Sequence, residues 1–185
     1  MDRTTFNLAP TERVQPRVLV VQPNRHYLGV LARHIAGAGY RVATADAAQT
    51  AFAEIHRMPP DAVVSELVMK GTSGIELAHM MRENAAHRDL PLILMAGKRE
   101  SALAIRALQA GADDVVRKPF DIDVLIARIA RQISRAEAVR LLRSDNAVLD
   151  ARVVERAISL GELRDRLEAS EAERHRLEQA MRKSA

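Results

Sequence analysis

The sequence predicts an α/β domain, a doubly wound five-stranded parallel sheet, followed by a long C-terminal helix that forms a coiled coil. Three observations predict it. Five short runs rich in valine, leucine and isoleucine recur through the first two-thirds of the 185 residues, continuous in apolar character as strands buried on both faces are. A turn signal and then a stretch of helical period follows each run. From Val139 onward the apolar residues settle into a seven-residue repeat.

Taken in order, Met1 to Pro16 has no period and carries Pro10 and Pro16, so residues 1–16 read as a flexible arm. Val18-Leu19-Val20-Val21 is the first strand and ends at Gln22-Pro23-Asn24. Asn24 is placed to cap a helix from Arg25 to about Ala36, with Leu28, Leu31 and Ile35 as its apolar face and Gly37 and Gly39 marking its end. Tyr40 to Thr44 reads as the second strand, Asp46 as the cap of a helix reaching about His56, and Pro59-Pro60 as its breaker. Ala62 to Leu67 is the third strand, leading through the turn-rich Lys70-Gly71-Thr72-Ser73-Gly74 into a helix with Ile75, Leu77 and Met80. Pro91 opens the strand Leu92 to Met95, and Ala96-Gly97 ends it. Ser101 to Ala110 is helical, with Leu103, Ile105 and Leu108 as its large apolar members, and Gly111 stops it. Asp114 to Arg117 is the fifth strand, and Asp121 caps a helix whose Ile122, Leu125, Ile126, Ile129 and Ile133 share one face. Parallel strands need crossovers, and crossovers are right-handed, so five such units wind a flavodoxin-like domain over residues 17–133.

Residues 134–185 have a different character. Val139, Asn146, Val153, Leu160, Leu167, Arg174 and Met181 recur every seven residues, with Leu142, Leu149, Arg156, Leu163, Ser170 and Leu177 three residues later. Of thirteen Leu, Ile, Val and Met residues from Val139 on, nine lie on these rows, where two positions in seven would hold about four by chance. Asn146 in an inner row favours two parallel strands in register, while Arg156, Arg174 and Ser170 weaken the seam. The expected assembly is therefore a homodimer; a single helix folded back on the domain is the alternative. Leu141, Val148, Val154 and Ile158 lie outside the rows and would stay exposed in a simple two-stranded coil.

Composition excludes several classes of function. With 48% hydrophobic and 28% charged residues the chain is globular, and the lack of cysteine removes disulfides, thiol catalysis and thiolate metal sites. No run approaches the length of a membrane span and the first sixteen residues resemble no signal peptide, so a cytoplasmic protein without a membrane partner is expected. The net charge of +4 is spread among acids, and the six histidines show no metal-ligand spacing. Nucleic acid is accordingly not the expected partner, and neither metal nor cofactor is expected.

The chemistry-bearing residue is Lys118, at the carboxyl end of a buried parallel strand, where open α/β sheets hold their ligands. Asp61-Ala62-Val63-Val64-Ser65-Glu66 with Gly71, Gly74 and Glu76-Leu77, and Ala110-Gly111-Ala112-Asp113-Asp114 with Lys118-Pro119-Phe120, resemble the phosphoacceptor strand and the last strand of response regulator receiver domains. The resemblance implies a partner in a two-component phosphorelay: receivers take a phosphoryl group on an aspartate, with Mg²⁺ held by that aspartate and a carboxylate pair after the first strand. A hydroxyl ending the fourth strand and an aromatic residue in the fifth then read out the change.

This sequence departs from that pattern at nearly every position. Gln22 and Pro23 replace the carboxylate pair, Glu66 the acceptor aspartate, Ala96 the hydroxyl and Val115 the aromatic residue; Lys118 is kept. Glu66 is not expected to be phosphorylated. Two readings of it stay open: an ion pair with Lys118 that braces the third and fifth strands, or a permanent mimic of the phosphorylated state. Ser65 faces away from the crevice if Glu66 faces it, and Thr72 and Ser73 are ordinary loop hydroxyls. Asp61, Asp113 and Asp114 read as solvated or capping residues. The expected function is that of a pseudo-receiver adaptor, not an enzyme, binding proteins through Ser101 to Ile133 and through the coil. The alternatives are a nucleic-acid-binding regulator similar to receiver-coil antiterminators, or another transcriptional regulator, and an atypical but phosphorylatable regulator.

Overall fold

The computed structural model describes residues 15–184. The expected arm falls almost wholly outside them; of its residues, the Gln15 and Pro16 carbonyls accept hydrogen bonds from Arg41. Five strands, β1 (Arg17–Val21), β2 (Arg41–Ala45), β3 (Ala62–Glu66), β4 (Leu92–Ala96) and β5 (Asp114–Arg117), alternate with α1 (Arg25–Gly37), α2 (Ala48–Arg57), α3 (Gly74–Glu83), α4 (Ser101–Gln109) and α5 (Ile122–Ser184). The sheet is parallel throughout, in the order β2-β1-β3-β4-β5. This is the doubly wound, flavodoxin-like fold with a long C-terminal helix.

Strand alternation divides the core into two layers. Leu19, Val21, Val63, Leu92 and Leu94 meet α2, α3 and α4 on one face, while Val18, Val20, Val64, Ile93 and Met95 meet α1 and α5 on the other. Leu125, Ile129 and Ile133 of α5 are buried in the second layer, one helical turn apart, as their spacing requires. β1 and β4 are buried along their length, and β3 through Ser65, because helices cover both faces, which is why Val18 to Val21, Ala62 to Val64 and Leu92 to Ala96 are continuous apolar runs.

Local differences from the sequence reading have physical causes. β2 runs one residue later than Tyr40 to Thr44. Asp46 does not cap α2: Ala47 occupies the cap position, and Asp46 accepts a hydrogen bond from the Thr50 hydroxyl at 3.4 Å. In α4 the large residues Ile105 and Leu108 are 58% and 49% exposed, and Ala104 and Ala107 face the sheet, so this helix packs close on small side chains. Asp61, Asp113 and Asp114 are ties between elements. Asp61 accepts from the Arg17 amide at 2.7 Å, Asp113 from Arg82 at 2.7 Å and from the Leu92 amide at 2.8 Å, and Asp114 from Arg128 at 2.6 Å.

By internal contacts the chain divides between Glu137 and Ala138. In the second unit Leu142, Leu149, Val153, Leu160, Leu163 and Leu167 are each more than half exposed, as are Leu141, Val154 and Ile158, with Val148 at half. Val139 and Met181 are exposed too, as is Asn146, while the Leu177 side chain lies outside the described ones. Among the described residues no helix is long and apolar enough to cross a membrane.

Candidate functional site

The carboxyl ends of β1, β3 and β5 place three side chains against one another. Register fixes their height: Val21 lies beside Ser65, Glu66 beside Met95 and Met95 beside Val116, so Gln22, Glu66 and Lys118 emerge together at the same edge of the sheet. Backbone bonds from the Gln22 amide to the Ala45 carbonyl (2.9 Å) and from the Lys118 amide to the Ala96 carbonyl (2.8 Å) extend the ladder past the strands and hold these ends. Gly74 brings α3 onto the end of β3. A Cβ there would stand 2.6 Å from the Glu66 carbonyl oxygen, so only glycine permits the approach.

Glu66 is the hub. Its Oε2 accepts from Gln22 Nε2 at 2.5 Å and from the Lys118 ammonium, with which it forms an ion pair. Gln22 is itself buried, and its Oε1 accepts the Asn24 amide at 3.0 Å, which orients the amide group so that its NH₂ must face Glu66. Asn24 in turn caps α1, accepting the Tyr27 amide at 3.0 Å. That cap sets Tyr27 over Lys118, whose Nζ lies 4.8 Å from the ring centroid, a cation–π contact. Burial, and then the negative charge of Glu66, push the Tyr27 hydroxyl above its ordinary pKa, so it stays protonated. The group opens on a cleft of about 640 Å³ whose walls also carry Pro23, Asp46, Met69 and Lys70.

The other positions singled out in the sequence are placed apart from this hub in role. Ala96 ends β4 fully buried, and Val115 packs half-buried against the α4 layer, so neither brings a polar group to the cleft. Ser65 is buried, and its hydroxyl donates to the Glu66 carbonyl at 3.1 Å. Ser73 caps α3 in a reciprocal pair with Glu76, and Thr72 bonds Gln49. Two participants escaped the sequence reading: Tyr27, and Gln22 as a donor to Glu66. Their signal was the Asn24 cap, which puts residue 27 in the first turn of α1 above the strand ends.

Residues 18–130 match the family model described as the response regulator receiver domain. The chain belongs to that family. The receiver is 33% identical over 118 residues to the phosphate regulon transcriptional regulatory protein PhoB of Pseudomonas aeruginosa, covering 64% of this chain and 52% of that protein. The chain as a whole is 33% identical over 159 residues to the C4-dicarboxylate transport transcriptional regulatory protein DctD of the same organism, covering 83% of this chain and 34% of the relative. Among solved structures, full-length FixJ from B. japonicum superposes with a TM-score of 0.62 at 30% identity, over 68% of this chain and 61% of that one. The chain thus spans about half the length of PhoB and about a third of DctD.

Mg²⁺, which the receiver family implies, does not fit the residues present. A magnesium ion requires several oxygen ligands in tight octahedral array. Here the Glu66 oxygen faces an amide NH₂ and an ammonium, both donors, and Pro23 brings no side-chain ligand. Among the described residues no three carboxylate or imidazole groups converge closely enough to hold a metal ion.

Proposed function

We propose that this receiver works without phosphorylation, as a signalling adaptor that binds partner proteins and pairs two copies of itself through the helix beyond residue 138. The observation that carries the reading is the double donation to Glu66 Oε2. Lys118 offsets the charge of the carboxylate that would have to take the phosphoryl group, and Gln22 occupies the same oxygen by a hydrogen bond. In a receiver that takes phosphate, carboxylates after β1 would hold a cation beside the lysine that is kept here; in this chain the Gln22 amide stands in their place and donates to Glu66.

The Glu66–Lys118 pair is taken as structural. It ties β3 to β5 and, through Tyr27, to the start of α1, while Ala96 and Val115 supply neither the hydroxyl nor the ring through which a phosphate mimic would be read. The exposed Ile105 and Leu108 on α4 and Val124 on α5 support the stretch from Ser101 to Ile133 as a binding surface. The exposed heptad rows support the homodimer. Domain limits of 1–16, 17–133 and 134–185 and a cytoplasmic setting belong to the same reading, as does the absence of catalysis. The test is capture of partners from native extract by the full chain, with and without acetyl phosphate and Mg²⁺. Equal capture supports the adaptor, and capture that depends on the phosphodonor overturns it. Binding of DNA or RNA in a salt-dependent mobility shift would instead favour a transcriptional role, which is what the names of PhoB and DctD describe for those proteins.

A further inference from the structure

The helix beyond residue 138 carries a second apolar face that the heptad seam does not use. Leu141, Val148, Val154 and Ile158 are at least half exposed, and Ala147 and Ala151 are exposed between them. At 3.6 residues per turn they project from the side of the helix opposite Val139, Leu142, Leu149 and Val153. The face runs about 27 Å along the axis and is bounded in its own row by Glu137 and Glu162. An occupant that buries all of it must match that length and lie in one register.

The spacing of the residues identifies that occupant. Leu141, Ser144, Val148, Ala151, Glu155 and Ile158 succeed one another at intervals of three, four, three, four and three, the same read from either end. A second copy running antiparallel therefore fits residue against residue: Leu141 meets Ile158, Val148 meets Ala151, and Ser144 meets Glu155, whose carboxylate can accept from the serine hydroxyl. On one flank Ala147 meets Val154. On the other Asp145 meets Arg152, an opposite-charge pair that the twofold makes twice. Among the described residues neither of these charges has an ion-pair partner inside the chain. Parallel pairing of the same face would gain Arg140 against Asp145 at the rim but set Glu155 against Glu155 within the covered row. A rim pair contributes less than a desolvated like-charge contact costs.

We infer that the face from Leu141 to Ile158 is a self-complementary contact by which two copies of the chain pair antiparallel, apart from the parallel seam proposed above. The contact stands whether or not the seam forms. Where both form, each copy has a neighbour on either side of its helix, and contacts on opposite sides add copies in series instead of closing on two. Only four large apolar side chains per helix enter this contact, and Glu137 lies opposite Glu162 at each end. It is therefore weaker than the seam and forms at higher concentration.

The chain has no cysteine, so introduced ones report the alignment. Full chains carrying Val148→Cys and Ala151→Cys, mixed in a glutathione redox buffer, should give mainly the 148–151 disulfide; predominance of 148–148 would show a parallel contact and overturn the inference. Sedimentation equilibrium on the full chain with the seam broken by Leu160→Asp and Leu163→Asp isolates the contact. Its mass should rise from monomer when dilute to dimer over about a hundredfold rise in concentration, and adding Leu141→Asp with Ile158→Asp should hold it at monomer. Adding Asp145→Arg instead should weaken the step about tenfold, and Asp145→Arg with Arg152→Asp should restore it. A seam-broken chain that stays monomeric throughout, as when the receiver or another protein covers the face, overturns the inference, and so does a charge exchange that restores nothing. Equal association by wild type and the seam-broken chain would support this contact and remove the seam. The disulfide pattern is read on a chain with its seam intact and decides the matter even if a variant helix frays.

Discussion

Gln22 Nε2 lies 2.5 Å from Glu66 Oε2, and the amide and the carboxylate come from neighbouring parallel strands at the point where the receiver family brings a cation. The contact makes this corner of the sheet a hydrogen-bonded one. Lys118 completes it from the far side and Tyr27 covers the lysine, so four side chains from β1, α1, β3 and β5 satisfy one another.

Glu66→Gln is expected to keep the fold. It removes the ion pair but retains an oxygen that can accept from Lys118, and the site is partly open, so the loss should be about 1–2 kcal/mol. Partner binding should match wild type. Urea unfolding and partner titration check both; intact folding with abolished binding would show that the charge at Glu66 is read by the partner.

Restoring the carboxylates should restore the metal. The triple variant Gln22→Asp, Pro23→Asp, Glu66→Asp places three acids around Lys118, whose mutual repulsion lowers stability until a cation binds. Its melting temperature should rise with added Mg²⁺, while that of the wild type stays flat. Ligand binding to the folded state alone produces such a rise.

Acid should destabilise the domain through α3. The Ser73 backbone amide, and then its hydroxyl, hold Glu76 below the usual carboxylate pKa. A lowered folded-state pKa contributes stability that is present above the unfolded value of about 4.3 and is lost as pH falls below it. Glu76→Gln preserves the reciprocal cap but carries no titrating charge, so its melting temperature should fall less steeply than wild type between about pH 5 and pH 3.

The exposed rows of the second unit predict a dimer. Burying Leu142, Leu149, Val153, Leu160, Leu163 and Leu167 in a common seam would contribute roughly 1.5–3 kcal/mol per side chain before ordering costs. Leu160→Asp with Leu163→Asp should give a folded monomer in multi-angle light scattering. If deletion of residues 139–185 leaves the receiver dimeric at the same concentration, association belongs to the Ser101 to Ile133 face.

Strand-forming runs and helix stops made the sheet legible, because Val18 to Val21 and Leu92 to Met95 carry no signal except burial, and Gly111 sits at φ +98° where only glycine is at ease. The cap of α2 was not legible: Asp46 has the right chemistry, but the backbone turns one residue later at Ala47. Spacing did not show which face of α4 meets the sheet: Ile105 and Leu108 are exposed, and Ala104 and Ala107 are buried. At the site, the departures at Gln22, Pro23, Glu66 and Ala96 could be read residue by residue. How those residues meet could not, because the Gln22–Glu66 bond and the position of Tyr27 over Lys118 depend on side-chain directions as well as on spacing.

The central claim is that Glu66 does not take a phosphoryl group. Intact-mass analysis of the full chain incubated with acetyl phosphate and Mg²⁺, followed by peptide mapping, tests it most directly. Unchanged mass is the predicted result, and a stoichiometric phosphoryl addition on the peptide containing Glu66 would contradict it.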